Sequence, residues 1–123
     1  MPKKREQSAR SKPLIIGHIY NSGVLSSQKY QKAIDYLNEA QKLQPECTNY
    51  ADYYAVRADC YIMLEQYEKA AAHCSVALKL DPQYAYVYNT RSTAYRHLGN
   101  TQLANKDQKK YGQLSMSFAL SKR

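Results

Sequence analysis

Two stretches of this chain are one helix written twice. "YQKAIDYLNEAQKLQP" at 30–45 and "YEKAAAHCSVALKLDP" at 67–82 share Tyr, Lys, Ala, Ala, Lys, Leu and Pro at identical offsets. Each closes on a proline, which lacks the N–H needed to continue a helix. Helices this short are marginal alone in water, so a repeated one predicts stacking in which each copy covers its neighbour's apolar face. That constraint excludes most folds before composition is considered.

Counting back from Pro82 sets a 34-residue unit at 51–84, and a further unit at 85–118 follows without a gap. Counting back from Pro45 sets a first unit at 14–47, with Thr48, Asn49 and Tyr50 as an insertion. Helices are predicted near 12–26, 29–43, 49–64, 67–80, 83–97 and 101–118, with no strand. The organisation is therefore a basic segment at 1–13, a three-unit domain at 14–118 and a basic end at 119–123.

The spacing is similar to the tetratricopeptide repeat. In the second unit the matching residues are Tyr54, Ala58, Tyr61, Tyr67, Ala70, Cys74, Ala77 and Pro82; in the third they are Tyr88, Ser92, Tyr95, Gly99 and Ala104, with Tyr111 where alanine is usual. The first unit matches in its second helix (Tyr30, Ala33, Leu37, Ala40, Pro45) but carries Gly17 and Asn21 at the large and small positions of its first. The resemblance implies an all-α fold, a right-handed superhelical stack of three antiparallel helix pairs. Ala58 with Ala70, and Ser92 with Ala104, are then small because paired helices approach closely, while the tyrosines beside them fill the gaps. Of the 13 tyrosines, Tyr20, Tyr36 and Tyr111 fall at other inward offsets, and Tyr50, Tyr53, Tyr84 and Tyr86 have no structural role by register.

Nothing in the sequence sets up catalysis, and the expectation is a protein that is not an enzyme. The four glycines are scattered, so there is no phosphate-binding loop. His73 and Cys74 with Cys60 lack a third metal ligand at a standard spacing, so neither a metal nor a cofactor is expected, and no small-molecule substrate. Three cysteines without framework spacing, no leader pattern and no apolar run long enough for a membrane span point to an intracellular chain with reduced thiols.

Net charge is +8, and it sits at the ends: residues 1–13 and residues 106–123 each carry +4, while 14–105 sum to zero. Basic ends attract polyanions through a salt-sensitive force. An RNA- or ribonucleoprotein-associated factor is accordingly the alternative to the main reading. That main reading, which the resemblance implies, is a protein–protein interaction module, a small adaptor or subunit that binds a peptide or helix of a partner in a concave groove. Transferred register gives the groove His18, Ile19 and Ser22 from the first unit. Asp52, Val56, Asp59 and Met63 come from the second, and Tyr86, Asn89, Thr90, Thr93, Arg96 and His97 from the third. Members of the family that clamp the C-terminal carboxylates of heat-shock chaperones use lysines, asparagines and an arginine. The corresponding residues here are His18, Ser22, Val56, Tyr86 and Thr90, and none matches.

Two further expectations concern the last unit. The sequence "YGQLSMSFALSKR" continues apolar where a polar capping helix is usual, which makes Leu114, Phe118 and Leu120 a candidate interface for a partner or for a second copy in a homodimer. Arg91 falls where this repeat usually carries leucine, sixteen residues before Asp107. That offset sets the middles of paired helices opposite each other, so an Arg91–Asp107 ion pair is expected. The same offset sets Arg57 against His73, which is then expected to stay neutral, and Tyr20 against Tyr36.

Overall fold

The computed structural model describes residues 27–121, and side chains across 28–117. Five α-helices follow one another: α1 (Ser27–Leu43), α2 (Ala51–Met63), α3 (Tyr67–Leu80), α4 (Ala85–His97) and α5 (Thr101–Ser121), with a short 3-10 turn at Pro45–Asn49 between the first two. No strand occurs among the described residues. Helices α2 and α3 form one antiparallel pair and α4 and α5 the next, while α1 packs on α2 and α3 on α4. The expected helix at 12–26, with Tyr20, lies outside the described residues. Among the described residues no helix is long and apolar enough to cross a membrane.

The pairs close on small residues. Ala58, Ala70 and Ala104 are fully buried and Ser92 nearly so. Around them Tyr54, Tyr61, Tyr88 and Tyr95 pack as fillers, partly or wholly covered. One core group joins α1, α2 and α3 through Ile34, Leu37, Val56, Cys60 and Ala71. A second joins α2, α3 and α4 through Ala55, Cys74, Ala77, Leu78 and Val87.

The repeat is visible in individual hydrogen bonds. At the turn after α2, Leu64 N–H donates to Cys60 O, Glu65 to Ile62 O and Gln66 to Tyr61 O. At the turn after α4, Leu98 donates to Ala94 O, Gly99 to Arg96 O and Asn100 to Tyr95 O. This closure needs a left-handed residue, met by Gly99 at φ +82° and by Glu65 at φ +60°. Glycine carries that conformation without a Cβ clash, whereas Glu65 holds it as an L-residue because the surrounding bonds fix the turn.

The three additional residues of the first unit lie elsewhere than expected. Tyr50 N–H donates to Cys47 O as Tyr84 donates to Asp81 O, and Tyr53 to Tyr50 O as Val87 to Tyr84 O. Residues 47–50 therefore correspond to 81–84, and the extra length falls at 44–46. The 3-10 turn absorbs it and turns Cys47 into the core, where it is 2% exposed. Two tyrosine assignments also change. Tyr53 has a structural role after all. Among the described residues it is the largest fully buried side chain, with its hydroxyl 3.2 Å from Leu37 O and 3.0 Å from Gln41 Oε1, which ties α1 to α2. Tyr36 is half exposed rather than inward.

In the last pair, Arg91 Nε lies 2.8 Å from Asp107 Oδ2 and Nη2 2.9 Å from Oδ1, a two-point ion pair between α4 and α5. Arg91 Nη1 also donates to Ser75 Oγ on α3, and the guanidinium lies against the rings of Tyr88 and Tyr95. The bond to Asp107 holds the Arg91 pKa above its ordinary value. Asp107→Ala leaves this partly covered cation without its carboxylate and is expected to cost about 2–4 kcal/mol by chemical denaturation, well above a surface pair. An unchanged midpoint would contradict that role.

All three cysteines are free and buried. Burial, with the Asp59 charge second, pushes the Cys60 pKa to about 12, and the same causes raise that of Cys74 further. Burial, aided by Glu46, also raises Cys47. The native protein is expected to stay unlabelled by an aromatic disulfide reagent at mildly alkaline pH, and to yield three thiols only on unfolding. Rapid labelling of the folded chain would contradict this.

Candidate functional site

The first helices of successive units, α2 and α4, contact each other across the stack. Their interaction centres on Asp59. Tyr86 Oη donates to this carboxylate, 3.3 Å from Oδ1 and 3.2 Å from Oδ2, and Thr90 Oγ1 lies 3.4 Å from Oδ1. Burial, with the Asp59 charge second, raises the Tyr86 pKa, so this hydroxyl remains a donor at neutral pH. A second link joins the same elements nearby: the Tyr84 hydroxyl donates to Asp52.

The residues of the expected groove occupy different levels. Asp52, Val56 and Thr90 are buried. Met63 and Tyr86 are about half exposed, one at the end of α2 and one at the start of α4. Asn89 and Thr93 are partly covered, with Thr93 Oγ1 donating to Asn89 O.

Arg96 and His97 are exposed but engaged with their own surroundings. Arg96 Nη2 reaches back to Ser92 Oγ, which also bonds Gln108 on α5. The His97 ring stacks on Tyr67 at the start of α3, 4.2 Å between centroids and 3° from parallel. Both thus meet side chains that belong to the helix pairing. His18, Ile19 and Ser22 lie outside the described residues, as do the basic segment 1–13 and the side chains of Phe118 and Leu120. Leu114 is partly covered, and Met116 beside it is 66% exposed.

A second polar cluster gathers around Arg57 and His73, the pair set opposite each other by the sixteen-residue offset, and it includes tyrosines and an asparagine not assigned to it from the sequence. Arg57 on α2 donates to Asn38 Oδ1 on α1 at 2.8 Å, and to the hydroxyls of Tyr53 and Tyr61 at 3.2 and 3.4 Å. His73 on α3 rests against Tyr61, with ring centroids 5.1 Å apart, and Lys69 Nζ lies 5.6 Å from the same ring centre. The i, i+4 run of Tyr53, Arg57 and Tyr61 on one helix face was the available signal. No group of three or more His, Cys, Asp or Glu side chains that could hold a metal occurs among the described residues.

The tetratricopeptide repeat family model matches residues 24–107. The chain belongs to the tetratricopeptide repeat family. Among solved structures, it is similar to the second tetratricopeptide repeat domain of Spaghetti (RPAP3) bound to the HSP90 peptide SRMEEVD. The two are 26% identical, the match covers 90% of this chain and 95% of that one, and the TM-score is 0.70. The all-α fold of the chain is thus that of a tetratricopeptide repeat domain.

Burial lowers the His73 pKa, and the nearby Arg57 and Lys69 charges push the same way against a bond to Lys69 O. The native ring therefore takes up a proton less readily than the unfolded one. Above the ordinary histidine value of 6.5 the effect vanishes; as pH falls below it, the unfolded state binds the proton first and stability is lost, until the native ring also protonates. The melting temperature is expected to drop across that acid window in the wild type and to drop less in His73→Gln. Identical profiles would contradict it.

Proposed function

We propose that this chain is a non-catalytic protein-interaction module, an adaptor or subunit of a larger assembly that takes a peptide segment of a partner protein along the face shared by α2 and α4. The observation that carries the reading is Asp59, half-covered and aligned by Tyr86 and Thr90, with Met63 and Tyr86 offering apolar and aromatic surface beside it. An aligned carboxylate next to exposed aromatic surface suits a peptide that brings a lysine, an arginine or another strong donor flanked by apolar side chains.

Support for a peptide ligand comes from the Spaghetti relative, solved with a peptide bound. The chemistry proposed here differs from that acidic sequence. Where carboxylate-clamping members of the family use cations and amides, this chain has a buried valine at 56 and places the hydroxyls of Tyr86 and Thr90 on Asp59. The centre of the face is anionic, and an acidic peptide end would be repelled there. The reading that rests on RNA draws on the basic ends alone, and neither the family match nor the structural relative lends it support.

Selection from a displayed peptide library separates these readings. Wild-type protein is expected to enrich peptides with lysine or arginine beside an apolar residue. Asp59→Asn should weaken the best of them about tenfold or more, by fluorescence anisotropy, without changing helix content. The peptide SRMEEVD should bind weakly or not at all. Enrichment of acidic peptides unaffected by Asp59→Asn would overturn the assignment.

A further inference from the structure

The two arginines of the repeat sit in related environments, and one of them lacks a carboxylate. Arg91 bonds Ser75 on the preceding second helix, lies against Tyr88 and Tyr95, and is neutralised by Asp107 on the following helix. Arg57, 34 residues earlier, bonds Asn38 on its preceding second helix and lies against Tyr53 and Tyr61. At the place of Asp107 this unit has His73. A bond to the preceding second helix and a flanking tyrosine at the matched position (Tyr61, Tyr95) recur, Tyr53 stands in for Tyr88, and the carboxylate is missing.

All acceptors of Arg57 are therefore neutral, and the ion pair of Arg91 with Asp107 has no counterpart at Arg57 among the described residues. Lys69 and His73 add to the same side of α3, and both meet Tyr61. The carbonyl of Lys69 can only accept, so the His73 Nδ1 2.8 Å away carries the proton and Nε2 of the neutral ring is left to a ligand. Asn38 and Lys69 are exposed, and Arg57 and His73 half-covered, so the cluster is open to solvent. The charged groups facing His73 are Arg57 from α2 and Lys69 from α3, while α1 contributes only the neutral Asn38 through its bond to Arg57.

We infer that the Arg57, Lys69 and His73 cluster between α1, α2 and α3 is an oxyanion-binding site, which takes from outside the carboxylate or phosphate group that Asp107 supplies internally in the next unit. A guanidinium held by neutral acceptors keeps N–H capacity for a two-point bond to such a group. The Lys69 ammonium adds charge, and His73 joins as a donor once protonated. Oxyanion binding and His73 protonation should then favour each other. The site is separate from Asp59 on the opposite side of α2, so it stands or falls independently of the peptide reading.

The full chain allows a direct test. Histidine ring resonances are followed by NMR against pH in sodium phosphate, in sodium glutarate and in sodium chloride of equal ionic strength. The His73 pKa is expected to rise by about one unit in phosphate, glutarate or both relative to chloride, and the ring of His97, stacked on Tyr67 away from the cluster, serves as the internal reference for general salt effects. A response to glutarate alone assigns a carboxylate, to phosphate alone a phosphate group, and each supports the site. His73→Asp should supply the missing carboxylate to Arg57, raise the melting temperature, and abolish the thermal stabilisation that the active anion gives the wild type. Equal His73 behaviour in all three salts, parallel movement of His73 and His97, or undiminished anion stabilisation in His73→Asp would overturn the inference.

Discussion

The fold depends on how closely paired helices can approach at one point. Ala58 on α2 and Ala70 on α3 are both without exposed surface, as are Ser92 and Ala104, within a percent, in the next pair. A larger side chain there would hold the helices apart, and tyrosines placed to fill the flanking gaps would lose their contacts. The turn geometry follows from the same approach. Helices this close need a tight reversal, and the chain reverses with one left-handed residue, Gly99 or Glu65, whose hydrogen bonds are matched across the two units.

Once the pairs are set, polar groups decide how one pair meets the next. Arg91 touches three helices through Ser75, Asp107 and its flanking tyrosines, and Arg57 joins α1 to α2. Elsewhere on α2, Asp59 receives the hydroxyl of Tyr86 from the following unit and Asp52 that of Tyr84, which caps the start of α4. Helix α2 thus carries the Arg57 cation toward one side and the Asp52 and Asp59 carboxylates toward the other, whereas α4 carries Arg91 and no carboxylate. On α2 the two charges face different neighbours, Asp59 meeting α4 through Tyr86 and Thr90 and Arg57 meeting α1 through Asn38. Only the cation recurs in register, as Arg91; at the places of Asp52 and Asp59 the next unit has Tyr86 and Thr93.

The helices and their pairing were legible because small, aromatic and proline positions recur at one period, and burial depends on that period. The Arg91–Asp107 geometry was equally accessible, since an offset of sixteen places the middles of antiparallel helices opposite each other. The placement of the additional residues was not. Pro45 resembles Pro82, yet backbone pairing equates Tyr50 with Tyr84, so the proline marks the helix end and not the register of the next helix. Tyr53 escaped because register alone ignores the 3-10 turn, which brings α1 over that side chain. His97 and Arg96 were assigned to the groove by position. Their side chains are long enough to reach Tyr67 and Ser92, and stacking and hydrogen bonding take them there.

The most direct test of the central constraint compares the same substitution at two alanines of α3. Ala70 is fully buried against its paired helix, and Ala72, two residues on, is exposed. In chemical denaturation, Ala70→Leu is expected to destabilise the chain by about 1–3 kcal/mol through overpacking, and Ala72→Leu to stay within about 0.5 kcal/mol of the wild type. Equal effects of the two, or a stabilised Ala70→Leu protein, would show that the helices do not meet at their small residues.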